Sequence, residues 1–399
     1  MVGPPTIPII GNMLSVWLNL KTLKYHHSLW QTWSQKYGNI LGLRLGSINV
    51  VIVFGKDLIR EVSCREVFNG RPNGLFYLVR SFGKKLGLVF ADGPTWTKTR
   101  RMVLKCLKNF GFSSRTIENS ISTECRALVD LRMTDRGQPV VVNDMFDVSI
   151  INILWKLVAG KRYDLKDKQL RELCDLIKRT FKLADMSGGI LNFLPFLRHV
   201  MPNIIGYTEL EVLHKEIYDF LNVIVYNNVS EYNTGTPGHN RCVETVSNTA
   251  VFMLLYVVRD EEIQKKLQKE IDMEIGSLRE PTLKTLRLSS VAAVGIPHMA
   301  LEDAKLGKYN IPKGTFVLLA IHDLHNGEHW KQPSRFRPER FLTKEGNLIQ
   351  DEWLMPFGCG KKFNLKLPKG DPMPSIDPID GITLSAQDFR IIFEPRTKI

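Results

Sequence analysis

"PFGCGKKFNLKLPKG", residues 356–370, begins as a glycine turn and ends as a proline-rich strand. Gly358 and Gly360 permit a tight backbone reversal, and Lys361 and Lys362 add charge to it. A thiolate in such a turn makes a good soft ligand for iron, and Cys359 is the one thiol there. The plainer reading is a glycine turn carrying an inert free cysteine. Beyond Phe363 the character changes with no further cysteine or histidine, so residues 363/364 read as a junction between a loop and a later strand.

Around that junction lies a chain of 399 residues, 44% apolar and 24% charged, which is ordinary globular composition. The net charge of +13 favours acidic partners, whether protein, anionic membrane or nucleic acid, and is also common on solvated surfaces. Six scattered cysteines without zinc spacing point to a reducing compartment and no disulfide framework. No apolar run reaches the roughly 18–20 residues that span a bilayer. The opening MVGPPTIPIIGNM lacks the basic start and apolar core of a signal peptide.

The periodicity predicts an extended start over 1–12, because Pro4, Pro5 and Pro8 block helix. A helix ending at Gly38 follows, then a hairpin over LGLRLGSINVVIVFG (41–55). From about 56 to 230 the pattern is mostly helical. GPTWTKTRRMVLKCLKNFGF (93–112) is the clearest helix, with Pro94 near its start and Gly111 at its end. A long helical stretch spans 245–275, and strand signals return over 307–321 and near the C-terminus. No linker divides the chain, so one domain over 1–399 is expected.

Two further constellations carry chemistry. Trp96 and Arg100 stand one helical turn apart, and five basic residues (Lys98, Arg100, Arg101, Lys105, Lys108) lie between Trp96 and Phe110 with no acid. That face can hold a carboxylate or phosphate; the plainer reading is a solvated basic helix with a buried Trp. Glu244 and Thr245, ahead of the apolar AVFMLLYVV, can relay protons into a dry cavity, or can simply be helix N-terminal residues.

Taken in order, these pieces resemble the cytochrome P450 family, and within it the insect microsomal type. The resemblance is carried by PPTIPIIGNML, GPTWTKTRR, VETVSNT, LRLSSVAAVGIPHMALEDAKLGKYNIPKGTFVLLAIHDLH, FRPERF and MPFGCGK, spread over nearly the whole chain. It implies a mainly α fold, the family's helical prism with small β-sheets. It further implies haem, with electrons from NADPH through a cytochrome P450 reductase, and one oxygen atom of O2 inserted into an apolar small molecule. Trp96, Arg100, His298 and Lys362 would hold haem propionates, Phe357 and Gly360 would shape the haem loop, and Glu244 and Thr245 would serve oxygen activation. The implied location is the cytosolic face of the endoplasmic reticulum membrane. SFGKKLGLVFADG and LKCLKNFGF resemble the branch that includes methyl farnesoate epoxidases.

The chain also departs from the family pattern. Counting FxxGxxxCxG from Phe357 puts Asn364 where the iron's cysteine belongs, so no residue of this chain is assigned as metal ligand. Asparagine is a poor iron ligand, and Cys359 lies five positions early. Arg241 and Cys242 replace the small pair before the acid–alcohol motif, and Lys284 replaces the glutamate of ExxR ahead of Arg287. If Lys284, Arg287 and Arg340 converged, three cations would share one site, at a cost of about 3–5 kcal/mol. Internal blocks are therefore expected to be missing near 231–243, 276–287 and 363–364, with the central, charged-motif and haem-loop helices incomplete and the anchor absent. Two other readings stand beside an incomplete monooxygenase. One is a non-catalytic family remnant with a binding or regulatory role. The other, a nucleic-acid binder, lacks any aromatic–basic interleaving or binding motif.

Overall fold

The computed structural model describes residues 2–80, 83–85, 87, 89–109, 115–134, 139–143, 145–159, 162–183, 189–229, 295–335, 338–341, 351, 353, 365–366 and 390–393. Helices dominate them, with small sheets beside, as the sequence leads one to expect.

The predicted hairpin is β1 (Ile40–Leu45) and β2 (Ile48–Val53), paired antiparallel from Ile40↔Val53 to Leu45↔Ile48. Its neighbour comes from far along the chain. β7 (Phe316–Leu319) lies parallel to β2, with Val50 opposite Phe316, and all four of its residues are buried. That burial explains the unbroken apolar run FVLL, which no alternation marks. On the other side of β7 lies the short β4 (His298–Met299), His298 opposite Val317 and Met299 opposite Phe316. The sheet order is β1-β2-β7-β4. Smaller pairings are β5 (Ala304–Leu306) with β6 (Tyr309–Ile311), and β3 (Val140–Val141) and β8 (Leu365–Lys366) flanking β9 (Arg390–Phe393).

Residues 1–12 are not extended throughout. Ile7 and Gly11 exchange backbone hydrogen bonds at 3.0 and 2.8 Å, folding the segment back on itself. The cause is Asn12, fully buried: its amide donates to Pro4 O and Pro5 O, both at 2.9 Å, and its Oδ1 accepts from Arg44 N at 2.8 Å. Such a residue satisfies its polar atoms only by gathering the proline segment onto β1. The helix α1 (Met13–Leu23) that follows lies outside the sequence-based expectation. It buries no side chain fully and leaves Trp17 and Leu18 exposed, so it carries little core periodicity to read.

Helix α2 (His26–Tyr37) buries Leu29, Trp30 and Trp33 against β1. α3 (Lys56–Cys64) and α4 (Leu75–Val79) precede α5 (Gly93–Asn109), close to the helix predicted over 93–112, and α6 (Arg115–Thr134). α7 (Asp147–Ala159) packs on α6, where the Arg162 guanidinium reaches the buried Glu124 at 2.5 Å. α8 (Lys168–Lys182) is capped by Asp167, whose Oδ1 accepts from Leu170 N at 2.8 Å, and carries Arg179 and Lys182 at its negative end. Its stripe Leu170, Leu173, Cys174, Ile177, Phe181 is a 3.6-period face that packs on α11 (Tyr207–Val229). α9 (Gly189–Phe193), α10 (Leu197–Val200) and α12 (Ile321–Asn326) complete the described helices. None of these is long and apolar enough to cross a membrane.

Candidate functional site

β4 delivers His298 to a place where a second segment, 227 residues earlier in the chain, meets it. Asn69 and Gly70 bridge to Met299, and Met299 N donates to Gly70 O at 2.8 Å. A Cβ on Gly70 would lie 2.6 Å from Met299 O and 2.8 Å from Leu301 Cδ2. Only glycine lets the two backbones come this close, and the next residue is Arg71.

Arg71 is wrapped by the loop that leads into α5. Its backbone N donates to Asp92 Oδ2 at 2.6 Å, and its Nε donates to Val89 O at 3.0 Å. Lys85 Nζ donates to the same Asp92 oxygen at 2.7 Å and to Arg71 O at 2.5 Å. Burial lowers the pKa of Arg71, and the Asp92 carboxylate opposes that shift. Nη1 has one long contact, 3.5 Å to Gly70 O, and Nη2 has no acceptor among the described residues. A guanidinium has five donors, so part of this one is left for an anion.

His298 Nδ1 lies 2.7 Å from Phe68 O. A carbonyl only accepts, so Nδ1 carries the hydrogen and Nε2 the lone pair. Burial first, then the Arg71 charge, push the ring's pKa down to about 4, and it is neutral at pH 7. Arg71 Nη1, 3.4 Å from that same Nδ1, therefore sits beside it as a second donor.

Asp92 also marks the start of α5, since Gly93 is the helix's first residue. Trp96 is half-buried one turn on, and the Arg100 guanidinium lies 5.7 Å from its ring centroid, consistent with the shared face expected from their spacing. Lys98, Arg101 and Lys105 are exposed, so the basic face is solvated while the Trp is only partly enclosed.

Of the residues the sequence singles out, His298 stands against Arg71, while Trp96 and Arg100 stand together on α5, which starts one residue after Asp92. Glu244, Thr245, Lys284, Arg287, Phe357, Cys359, Gly360, Lys362 and Asn364 lie outside the described residues. Arg340 donates to the carbonyls of Lys331 (2.9 Å), Gln332 (3.3 Å) and Arg335 (3.2 Å). Among the described residues no set of three or more His, Cys, Asp or Glu is arranged to hold a metal ion.

Sequence reasoning missed Arg71, with its supports Lys85 and Asp92. The only local signal is FNGRPN, an arginine between a glycine and a helix-blocking proline; its environment depends on β4, which sequence spacing does not reveal.

Arg71, half-buried and with donors unused among the described residues, is the kind of group that suits an anion. A family model described as Cytochrome P450 matches residues 1–241 and 241–363. The chain is 54% identical over 460 residues to a farnesoate epoxidase of Bombyx mori, covering 99% of this chain and 93% of that one. It is 28% identical over 474 residues to a probable cytochrome P450 305a1 of Drosophila melanogaster, covering 99% and 94%. Cytochrome P450 2B2 of Rattus norvegicus is 28% identical over 414 residues, covering 91% and 82%. The Bombyx alignment spans 460 positions against 399 residues here, so at least 61 of its positions are gaps in this chain. With the mainly helical fold, a match running from residue 1 to residue 363 and 54% identity to a farnesoate epoxidase over nearly its full length, the chain belongs to the cytochrome P450 family, the haem-dependent monooxygenases.

Proposed function

We propose that the gene encodes a monooxygenase for an apolar terpenoid of the farnesoate type, and that this chain keeps the haem-edge residues but lacks the iron's thiolate. The observation that carries the second half is Asn364, standing where the family's cysteine belongs, directly after the residue at which the family match stops. The restart of the match at residue 241 and its end at 363 support internal blocks missing near 231–243 and 363–364 within a single domain; the 61 or more gap positions leave room for the one expected near 276–287. The substrate class is supported by the 54% identity to a farnesoate epoxidase.

Haem bound through a cysteine thiolate supplies the electron push that cleaves O–O and oxidises substrate. The chain's own residues have simpler tasks. Arg71, Arg100 and the Trp96 indole N–H would hold propionate groups of a bound haem. His298, neutral and tied to Phe68 O through Nδ1, would offer Nε2 as an acceptor for a protonated propionate or a water. Phe357, Gly360 and Lys362 are the remnant of the haem loop, and Glu244 and Thr245 the remnant of the proton path. The solvated cations Lys98, Arg101 and Lys105 suit an acidic reductase surface on the cytosolic face of the endoplasmic reticulum membrane.

The test is to sequence the transcript across the codons for Phe363 and Asn364. Intervening in-frame sequence carrying a CxG means the full product is the monooxygenase and this chain a shortened version of it. Contiguous codons favour the second reading, a non-catalytic remnant with a binding role.

A further inference from the structure

Four of the chain's nine histidines lie in two short stretches, YHHSLW (25–30) and IHDLHN (321–326), and the fold brings the stretches together. The sheet is the cause. α2 packs on β1, while α12 starts where β7 ends, with Ala320 N donating to Val53 O at 3.0 Å. β2 joins those two strands, so the sheet holds both helices in place, and α2 contacts α12.

Two of the four rings meet within that contact. His27 and His322 have ring centroids 4.0 Å apart and planes inclined at 35°. His26 packs on Trp30 instead, at 6.0 Å, and His325 is fully buried. Tyr25 lies nearly parallel to the His27 ring at 5.3 Å, which steadies its orientation. His322 Nδ1 is buried and has no hydrogen-bond partner among the described residues. Burial first, then His27 and His325, push the His322 pKa down to about 3, so the ring is neutral at pH 7 and keeps a lone pair. Both residues retain some exposure, which leaves an ion a way in from solvent.

Buried polar atoms are almost always paired, so an enclosed Nδ1 beside a second imidazole calls for a group that joins the two. A shared proton is disfavoured by the same burial that keeps His322 neutral. A divalent ion of the kind that prefers imidazole suits the pair better, because it draws on the lone pairs of neutral rings. Asp323 accepts a hydrogen bond from Gln31 across the same contact, and its carboxylate offsets part of the charge a cation brings. We infer that His27 and His322 bind one zinc-class divalent cation through a nitrogen each, with water completing its coordination, and that this ion pins the start of α2 to the end of β7. Two protein ligands make a partial site, in keeping with the lack of any set of three among the described residues. The site shares no residue with the cluster around Arg71 and His298, and it depends neither on haem nor on the function proposed above.

Calorimetric titration of the full-length chain with Zn2+ tests this without turnover. The unaltered chain should take up Zn2+ and gain melting temperature from it. His27→Gln and His322→Gln should each weaken that uptake by about tenfold or more, the scale of losing a supporting group at a metal site, and should abolish the gain in melting temperature. The double variant should lose no more than either single one, because one ion needs both rings; a merely structural role predicts no such coupling. His199→Gln, at an exposed histidine of α10, is the control and should change nothing. If His322→Gln does not fold, His27→Gln alone carries the test. No Zn2+ uptake by the unaltered chain, full affinity in the variants, or losses that add in the double variant overturns the proposal.

Discussion

Arg71 Nη1 and His298 Nδ1 lie 3.4 Å apart, and both are donors. The hydrogen on Nδ1 is spoken for by Phe68 O at 2.7 Å, so neither group satisfies the other. Protein interiors rarely leave donors side by side unless an acceptor joins them, and under the function proposed above an anionic edge would be that acceptor. Arg71→Gln is expected to weaken haemin binding by about tenfold, while Arg71→Lys recovers only part of it because an ammonium lacks the fork. Absorbance titration with haemin measures both.

Gly70 decides whether that pair can form. Alanine at this position meets Met299 O at 2.6 Å, a backbone atom with no room to give. Gly70→Ala should cost about 1–3 kcal/mol, the range for overpacking, and should lower haemin affinity together with stability. An alanine variant with unchanged urea midpoint would show that residues 69–71 do not pack on β4 in this way.

Asp92 serves two donors at once, Arg71 N and Lys85 Nζ. Asp92→Asn keeps the shape and removes the charge, so it is expected to destabilise by about 1–3 kcal/mol in denaturant unfolding. Lys85→Met should cost less, since Lys85 and Asp92 side chains keep 25% and 20% of their exposure and screening trims the pair.

Acid should destabilise the fold through histidines that are neutral inside it. The His298 pKa is pushed down to about 4, and that of His322 to about 3, by burial first and then by neighbouring Arg71 or by His27 and His325. His322 also packs its ring 4.0 Å from that of His27. The unfolded chain takes up these protons near pH 6.5, before the folded one does. Their contribution is therefore complete above pH 6.5 and is lost as pH falls towards 4 and 3, at about 1.4 kcal/mol per pH unit for each ring. His322→Phe should flatten the melting temperature between pH 7 and pH 4; an unaltered slope would mean that His322 is not held neutral.

Legibility in the sequence followed the range of the contacts. The hairpin 41–55 could be read because alternation and Gly46 are local, and α5 because Pro94 and its neighbours set its start. β7 showed only as an apolar run whose partners are remote, and α1 not at all, since little of it is buried. Trp96, Arg100 and His298 could be named because the family's motifs mark them. Arg71 could not, because its setting depends on a strand 227 residues away.

The most direct test of the central claim is a carbon monoxide difference spectrum of this chain, as written, after loading with haem. The account predicts haem uptake that depends on Arg71, with no red-shifted, thiolate-type Soret band. A thiolate-type band from this chain would contradict it, because a cysteine would then reach the iron although Asn364 stands where the family's cysteine belongs.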